Sequence, residues 1–191
     1  MLEIVFIIGK PGSGKSSVIN HMRSLLGCTP DSNIKIYNDW NILFEMAVEG
    51  EFFNKVERYG DNGFKVKDNL AYDMALQRLV NKLKLEYSED ITLIVEFSRC
   101  NYVHSFSLFK SFLKEKKYSI VYIDTNFKTC EYRNLEREGY SVPPEVMKGH
   151  FSDDDIDELI SVFSPLVYLL DNMGEPSLLK QKVESLLTGL H

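Results

Sequence analysis

The chain has 191 residues, of which 44% are hydrophobic and 26% are charged, and its formal net charge at pH 7 is −6. This length and balance indicate one folded domain with a sizeable core, and they exclude disordered and collagen-like chains. No stretch approaches the roughly 18 uncharged apolar residues of a membrane span, and no signal-peptide pattern is present, so we expect a cytoplasmic protein without a membrane partner.

Short apolar runs rich in β-forming residues alternate with amphipathic runs along the chain. This alternation predicts an α/β fold in which a parallel sheet carries helices on both faces. The predicted strands are residues 2–8, 34–37, 91–97, 119–124 and 166–170.

The helices between these strands have recognisable ends. The first is predicted to end at Gly27, because glycine readily adopts the left-handed conformation that follows many helices. Ser152 is predicted to cap a later helix, because a serine followed by acids suits the exposed N–H groups of a first turn. The predicted helices are residues 15–26, 68–87, 152–164 and 176–189.

Two segments interrupt the alternation, residues 40–66 after the second predicted strand and residues 138–151 after the fourth. Both follow the carboxyl end of a strand, which is the edge of a parallel sheet that carries ligands. We interpret residues 40–66 as a substrate-covering insertion and residues 138–151, the lid segment, as a second cover. Both are expected to belong to one domain that spans residues 1–191.

The stretch GKPGSGKSS, residues 9–17, follows the first predicted strand and opens the first predicted helix. It matches the phosphate-binding pattern G-x-x-x-x-G-K-[ST], and the strand before it and the helix after it are the context that this pattern requires. The glycines allow backbone N–H groups to face phosphate oxygens, Lys15 brings a positive charge to the β and γ phosphates, and Ser16 is placed to bind Mg²⁺. The predicted contacts to a nucleoside triphosphate are Gly9, Pro11, Gly12, Ser13, Gly14, Lys15, Ser16 and Ser17.

A second stretch, VEFSR at residues 95–99, closes the third predicted strand. Adenylate-kinase-like enzymes end this strand in an acid that is closely followed by aromatic, small and arginine positions, and the stretch is similar. The phosphate-binding loop and this stretch together resemble the P-loop kinases of the nucleoside and nucleotide kinase branch. The resemblance implies a three-layer fold with a five-stranded parallel sheet in the order 2-3-1-4-5, and transfer of the γ-phosphoryl group of ATP, with Mg²⁺, to a small acceptor such as a nucleoside or nucleotide.

Glu96 has two candidate roles. As an acid at the end of the third strand it would hold Mg²⁺ through water, and as a base it would accept a proton from the acceptor hydroxyl. The alternative is an acidic strand end that faces solvent, because charges rarely continue into a buried sheet.

Asp39 directly follows the second predicted strand, at the same edge of the sheet as Glu96. Gluconate, shikimate and zeta-toxin-like kinases have an acid at this place that faces the acceptor, and by this resemblance Asp39 is the preferred general base. The alternative is a helix cap, because a helix is expected to start near Trp40.

Three arginines are candidates for contacts to the reacting groups. Arg133 and Arg137 are four residues apart after the fourth strand, which would place them on one helix face beside the lid segment. Lid arginines of the resembled kinases reach the phosphates, so these two are predicted to clamp the transferred group, and Arg99 is predicted to anchor the acceptor. The alternative is a set of solvated charges, paired with neighbouring glutamates in the case of Arg133 and Arg137.

Two further functions use the same loop. One is a nucleotide-binding switch or NTPase that acts on a protein partner, but the sequence contains no guanine-reading Asn-Lys-x-Asp. The other is phosphorylation of a nucleic-acid 5′ end, which the acidic net charge disfavours. The three cysteines have no short pairing spacing and the four histidines have no ligand spacing, so neither a disulfide framework nor a zinc site is predicted.

Overall fold

A computed structural model of the chain describes residues 4–190 except 30, 52–54, 60–62, 138–140 and 153. Five of the described strands form one sheet in which all neighbours are parallel, and the other two form an antiparallel hairpin. The strands are β1 (Ile4–Gly9), β2 (Ile34–Asn38), β3 (Val56–Tyr59), β4 (Gly63–Val66), β5 (Thr92–Phe97), β6 (Tyr118–Asp124) and β7 (Leu166–Asp171).

The main sheet has the order β2-β5-β1-β6-β7, and β3-β4 is the hairpin. Counted along the chain among the sheet strands alone, this order is 2-3-1-4-5, so the predicted topology is confirmed. The order reverses between β5 and β1, which places the ends of these strands and of β2 beside the phosphate-binding loop.

The helices cover both faces of the sheet and its carboxyl edge. They are α1 (Lys15–Leu25), α2 (Asp39–Val48), α3 (Leu70–Glu86), α4 (Tyr102–Leu113), α5 (Phe127–Leu135), α6 (Pro144–Ser152), α7 (Ile156–Phe163) and α8 (Pro176–Leu190). One core cluster joins the sheet to α1 and α8, and the other joins it to α2, α3, α4 and α7. None of the helices, as far as the chain is described, is long and apolar enough to cross a membrane.

The position of β1 at the centre of the sheet explains why its sequence is an unbroken apolar run. Val5 and Ile7 pack in the cluster with α1 and α8, whereas Phe6 and Ile8 pack in the cluster on the opposite face. A strand that is covered on both faces has no polar alternation, as is typical of parallel sheets. The ring centroids of Phe6 and Phe106 lie 4.9 Å apart, and this contact anchors α4 to the sheet.

Two features of the helices differ from the prediction. The prediction that Ser152 caps a helix is wrong, because Ser152 ends α6 and its hydroxyl donates to the Gly149 carbonyl at 3.2 Å. One of the acids that suggested a first turn, Asp155, instead accepts hydrogen bonds from the first N–H groups of α4, at Tyr102 and Val103. The helix α4 itself was not predicted.

The two interrupting segments contain regular structure. Residues 40–66 contain most of α2 and the β3-β4 hairpin, and residues 138–151 contain most of α6. Parts of both, at 52–54, 60–62 and 138–140, lie outside the described residues.

Candidate functional site

The phosphate-binding loop has a backbone that only glycine accommodates. Gly12 and Gly14 have φ angles of 78° and 98°, in the left-handed region. A Cβ atom on Gly12 would lie 2.4 Å from the Cys130 carbonyl oxygen, and one on Gly14 would lie 2.3 Å from Asn172 Nδ2. The missing side chains therefore allow the loop backbone to pack directly against Cys130 and Asn172.

The helix α1 begins directly at this loop. Gly14 is its N-terminal flanking residue, and no side chain caps the helix there. The first N–H groups of a helix have no partner inside the helix, so those of α1 are available to an anion. Lys15, which is only 9% exposed, donates from Nζ to the carbonyl oxygens of Gly9 and Lys10 at 3.0 and 2.9 Å. Burial lowers the pKa of Lys15, and the nearby carboxylates of Glu96 and Asp39 oppose this shift.

The loop is braced from behind by the strand ends of β6 and β7. The Ser13 carbonyl oxygen accepts hydrogen bonds from Asn172 Nδ2 at 2.7 Å and from Thr125 Oγ1 at 3.3 Å. Ser13 is fully buried, and its carbonyl group fixes the loop to Thr125 and Asn172. The contact of Asn172 with the loop was not predicted, although this residue directly follows β7 at the same sheet edge as the loop.

Glu96 is buried beside the start of α1. Its Oε1 accepts a hydrogen bond from Ser16 Oγ at 3.1 Å, and its Oε2 accepts one from Asn38 Nδ2 at 2.7 Å. With 7% of its surface exposed, Glu96 is not the solvent-facing strand end of the alternative interpretation. A hydroxyl and a carboxylate are the oxygen ligands that Mg²⁺ prefers, so the donor set fits this ion.

The magnesium ion would depend on few protein ligands. Within the described ranges, no group of three or more His, Cys, Asp or Glu side chains could hold a metal ion. Mg²⁺ sites in phosphoryl-transfer enzymes typically combine one or two protein oxygens with water and substrate phosphates, and Ser16 with Glu96 matches that arrangement.

Asp39 and Arg99 form a buried ion pair across the ends of β2 and β5. Their side chains are 9% and 11% exposed. The Arg99 guanidinium lies 4.6 Å from the ring centroid of Tyr72, and its Nε and Nη2 atoms are buried without a hydrogen-bond partner. Burial raises the pKa of Asp39, and the positive charges of Arg99 and Lys15 oppose this shift.

The helix cap at this edge is Asn38. Its Oδ1 accepts a hydrogen bond from the Trp40 N–H at 2.8 Å, while its Nδ2 orients Glu96. The side chain of Asp39 is therefore not needed as the cap of α2 and faces the cleft. Asn38 was missed, although asparagine is a favoured helix cap and sits one residue before the acid that was predicted.

Arg133 and Arg137 both line the cleft, but they do not share a helix face. The helix α5 ends at Leu135, so Arg137 lies two residues beyond it. Arg133 Nη1 is buried without a hydrogen-bond partner and lies 3.9 Å from the position of a Cβ atom on Gly14. Arg133 therefore lies against the phosphate-binding loop and is not one of the solvated charges of the alternative interpretation.

One cleft of about 740 Å³ contains both groups of side chains. Residues 11–12 and 14–17 of the phosphate-binding loop and the start of α1 line it together with Asp39 and Arg99. The lid segment covers it with Val146 and His150 of α6. Asn134 of α5 holds the chain just before α6, because its side chain makes two hydrogen bonds with the backbone of Val142, at 2.8 and 2.9 Å.

No protein-family model and no curated protein matches the sequence. Solved structures, however, share its fold along nearly its whole length. An unliganded sugar kinase from Janibacter sp. HTCC2649 is similar over 98% of this chain and 94% of its own, with a TM-score of 0.64 and 12% identity. The shikimate kinase from Acinetobacter baumannii, solved with shikimate, is similar over 99% and 94%, with a TM-score of 0.61 and 16% identity.

A third similar structure is a gluconokinase from Sinorhizobium meliloti 1021, over 98% of this chain and 97% of its own, with a TM-score of 0.56 and 14% identity. At such low identity the similarity shows the fold alone, which is the three-layer α/β P-loop NTPase fold that the sequence predicted.

Proposed function

We propose that the protein is an ATP- and Mg²⁺-dependent phosphotransferase that moves the γ-phosphoryl group to a hydroxyl group of a small acceptor. The observation that carries the proposal is the single cleft in which the phosphate-binding loop and the buried Asp39–Arg99 pair both lie. A nucleotide switch needs the loop alone. A buried acid and a buried arginine beyond the loop suit a second substrate that reacts with the first.

The donor end would hold ATP by charge and by backbone N–H groups. The start of α1 and the loop bind the phosphates, and the Lys15 ammonium swings from the loop carbonyls to the β and γ phosphates. Ser16, and Glu96 through water, would hold Mg²⁺. When bound, this ion neutralises charge on the phosphate oxygens.

The acceptor end would supply the base and the anchor. The acceptor oxygen forms a bond to the γ-phosphorus, the bond from that phosphorus to the β,γ-bridging oxygen breaks, and ADP leaves. The hydroxyl proton passes to the Asp39 carboxylate. Arg99 opposes the burial that raises the pKa of Asp39, and it would turn its unpartnered Nε and Nη2 donors to the acceptor.

Positive charge around the transferred group would come from the lid side. Arg133 and Arg137 line the cleft, and charge spread over the oxygens of the migrating phosphoryl group is stabilised by such cations. The lid segment excludes water, which limits hydrolysis of ATP in the absence of transfer.

The acceptor that these groups favour is a small hydroxylated molecule with an acidic group. A guanidinium with buried, unpartnered donors is best satisfied by a carboxylate or a phosphate. Shikimate, which the Acinetobacter baumannii enzyme binds, and gluconate, by which the Sinorhizobium meliloti enzyme is named, are candidates of this kind. A nucleotide, which the sequence resemblance suggests, also carries an acidic group and hydroxyls.

A panel of acceptors tests the proposal. The protein is incubated with ATP and Mg²⁺ and with shikimate, D-gluconate, adenosine, AMP or a 5′-hydroxyl oligonucleotide, and products are identified by mass spectrometry. We expect a phosphorylated small acceptor, and we expect the Lys15→Met variant to form none. ATP hydrolysis that no acceptor accelerates would instead support a nucleotide switch, and a product from the oligonucleotide alone would support an end-phosphorylating enzyme.

A further inference from the structure

His150 is a buried histidine in the lid helix α6 that the mechanism above does not use. It is 7% exposed and lines the same cleft as Asp39 and Arg99. Its Nδ1 atom is buried and has no hydrogen-bond partner. Buried polar atoms in folded proteins nearly always have partners, so an unpartnered one that lines a substrate cleft indicates a contact to a ligand.

The surroundings keep this imidazole neutral. Burial and the positive charges of Lys15, Arg99 and Lys10 lower the pKa of His150 to about 3. These three cations come from α1, from the end of β5 and from the phosphate-binding loop, and each of them is a donor without acceptor capacity. A neutral imidazole, in contrast, has one N–H and one bare nitrogen, so it can accept a hydrogen bond among groups that only donate.

We propose that His150 determines acceptor specificity, because its neutral ring accepts a hydrogen bond from a second hydroxyl group of the acceptor. This inference rests on the proposed function and narrows the substrate class. The phosphorylated hydroxyl faces Asp39, the acidic group faces Arg99, and the second hydroxyl faces His150. The substrate is therefore a polyhydroxylated acid or sugar phosphate and not a simple alcohol.

Two substitutions at one position separate recognition from packing. His150→Leu fills the buried space without an acceptor atom, and His150→Gln keeps an oxygen that accepts a hydrogen bond. We expect the leucine variant to raise the acceptor KM about tenfold, the size of one lost hydrogen bond, with the KM for ATP unchanged. The glutamine variant is expected to recover most of this loss.

A deoxy analogue of the acceptor provides the second readout. The wild-type enzyme should prefer D-gluconate over its 2-deoxy, 3-deoxy or 4-deoxy form, or the corresponding analogues of whichever panel member it phosphorylates. At one hydroxyl position this preference should be lost in the leucine variant. If His150 only filled space, the leucine variant would bind every analogue equally less well and would have a lower melting temperature. A change at one hydroxyl position alone would not result.

A matched control uses a histidine that does not line the cleft. His21→Leu in α1 is expected to leave both KM values unchanged. If His150→Leu has the acceptor KM and the analogue preference of the wild-type enzyme, the inference is overturned.

Imidazole NMR tests the inference without turnover. The ring nitrogens of His150, assigned by comparison with the leucine variant, should stay neutral down to about pH 5, below the ordinary histidine pKa of about 6.5. In the absence of ATP, the panel compound that the enzyme phosphorylates, for example D-gluconate or shikimate, should shift the bare-nitrogen signal when it binds. A protonated ring at pH 7 would overturn the inference about His150 even if transfer is found. If no acceptor in the panel is phosphorylated, the proposed function is wrong, and the NMR experiment still tests the inference. If no panel compound shifts the signal of the ring, the inference is overturned as well.

Discussion

At the scale of single residues, Asp39 has the environment of a general base rather than of a surface acid. It is buried, it is paired with Arg99, and Asn38 relieves it of the capping role. Glu96 has both oxygens in hydrogen bonds with Ser16 and Asn38, which suits a group that orients a metal. In the proposed reaction, Asp39 would therefore accept the proton and Glu96 would help to hold the ion.

The substitution Asp39→Asn tests this division. The amide keeps the size of the side chain but accepts no proton, so we expect kcat to fall about 10²- to 10⁴-fold, the usual contribution of a general base. Affinity for ATP, measured by calorimetry, should stay near the wild-type value. Asp124→Asn, at the exposed end of β6, is the matched control and should keep full activity. Near-normal turnover by Asp39→Asn would assign the base role elsewhere, with Glu96 as the first candidate.

The ion pair also predicts how activity depends on pH. Asp39 acts as a base only when ionised, and burial raises its pKa while Arg99 opposes that shift. Activity, measured as kcat/KM, should therefore rise with pH through the pKa of Asp39 in the free enzyme. Arg99→Met removes the opposing charge, so this pKa rises further and the acidic limb of the profile moves to higher pH.

Arg99→Lys is the control for this shift, because it keeps the charge but changes the hydrogen-bond geometry. Its acidic limb should lie close to that of the wild-type enzyme even if its kcat/KM is lower. An acidic limb that stays in place in Arg99→Met would show that Asp39 is not the group that titrates.

At the scale of elements, the ends of the strands carry the side chains of the candidate site, and glycines determine the backbone conformation of the loop after β1. Gly14 and Gly27 both have left-handed backbones, with φ angles of 98° and 62°, at the two ends of α1. They differ in their surroundings, because a Cβ atom on Gly14 would meet the Asn172 side chain whereas one on Gly27 would meet nothing within 4 Å.

This contrast gives a paired prediction. Gly27→Ala should cost only the backbone strain, about 1–2 kcal/mol of unfolding free energy, and should leave ATP affinity unchanged. Gly14→Ala adds a steric clash that displaces Asn172 from Ser13, so ATP affinity should fall sharply as well. Chemical denaturation and calorimetry measure the two quantities. Equal effects of the two variants on ATP affinity would contradict the role of the Asn172 brace.

The elements that the sequence predicted are those with a strong local signal. The central strands β1, β5 and β6 are apolar because they are covered on both faces, and the loop has a fixed pattern of glycines. The helix α4 was missed because its apolar side is largely aromatic, with Phe106 and Phe109, and aromatic residues favour strands more than helices. The prediction for Ser152 failed because Asp155 caps a helix that is distant in the sequence.

The contacts within the site were harder to predict than its members. Asp39, Glu96, Arg99 and Arg133 were all placed at the cleft by their positions after strands or beside the lid segment. Their partners come from elsewhere in the chain: Asn38 for Glu96, Tyr72 for Arg99 and Asn172 for the loop. His150 carried no local pattern at all, since its burial and its unpartnered nitrogen depend on how α6 folds over the cleft.

At the scale of the whole molecule, one buried ion pair joins the phosphate-binding loop to the connection between α6 and α7. Lys10 Nζ lies 2.9 Å from Asp154 Oδ2, and the Lys10 side chain is 3% exposed. Tyr122 of β6 donates to the same carboxylate at 2.7 Å. Lys10 of the loop, Tyr122 of the sheet and the connection that follows the lid helix α6 therefore meet at Asp154.

Breaking this pair from one side should be more harmful than removing it entirely. Asp154→Asn leaves the Lys10 ammonium buried without its counter-charge, so we expect a loss of about 2–3 kcal/mol, somewhat less than the about 3–5 kcal/mol for fully buried pairs because Asp154 is partly exposed. The double variant Lys10→Met, Asp154→Asn removes both charges and should be more stable than Asp154→Asn. Urea denaturation of the four proteins in this cycle measures the coupling, and additive losses would contradict it.

The same pair predicts how the difference depends on pH. Burial by itself would raise the pKa of Asp154, but the hydrogen bonds from Lys10 and Tyr122 outweigh burial and lower it. A carboxyl group with a lowered pKa in the folded state stabilises the protein above its unfolded-state pKa, and this stabilisation is lost as the pH falls through the folded-state pKa. The stability difference between the wild-type protein and Asp154→Asn should therefore be full at neutral pH and shrink in acid. A difference that is constant across this range would mean that Asp154 contributes through shape alone, and the lid would then be joined to the loop by packing and not by charge.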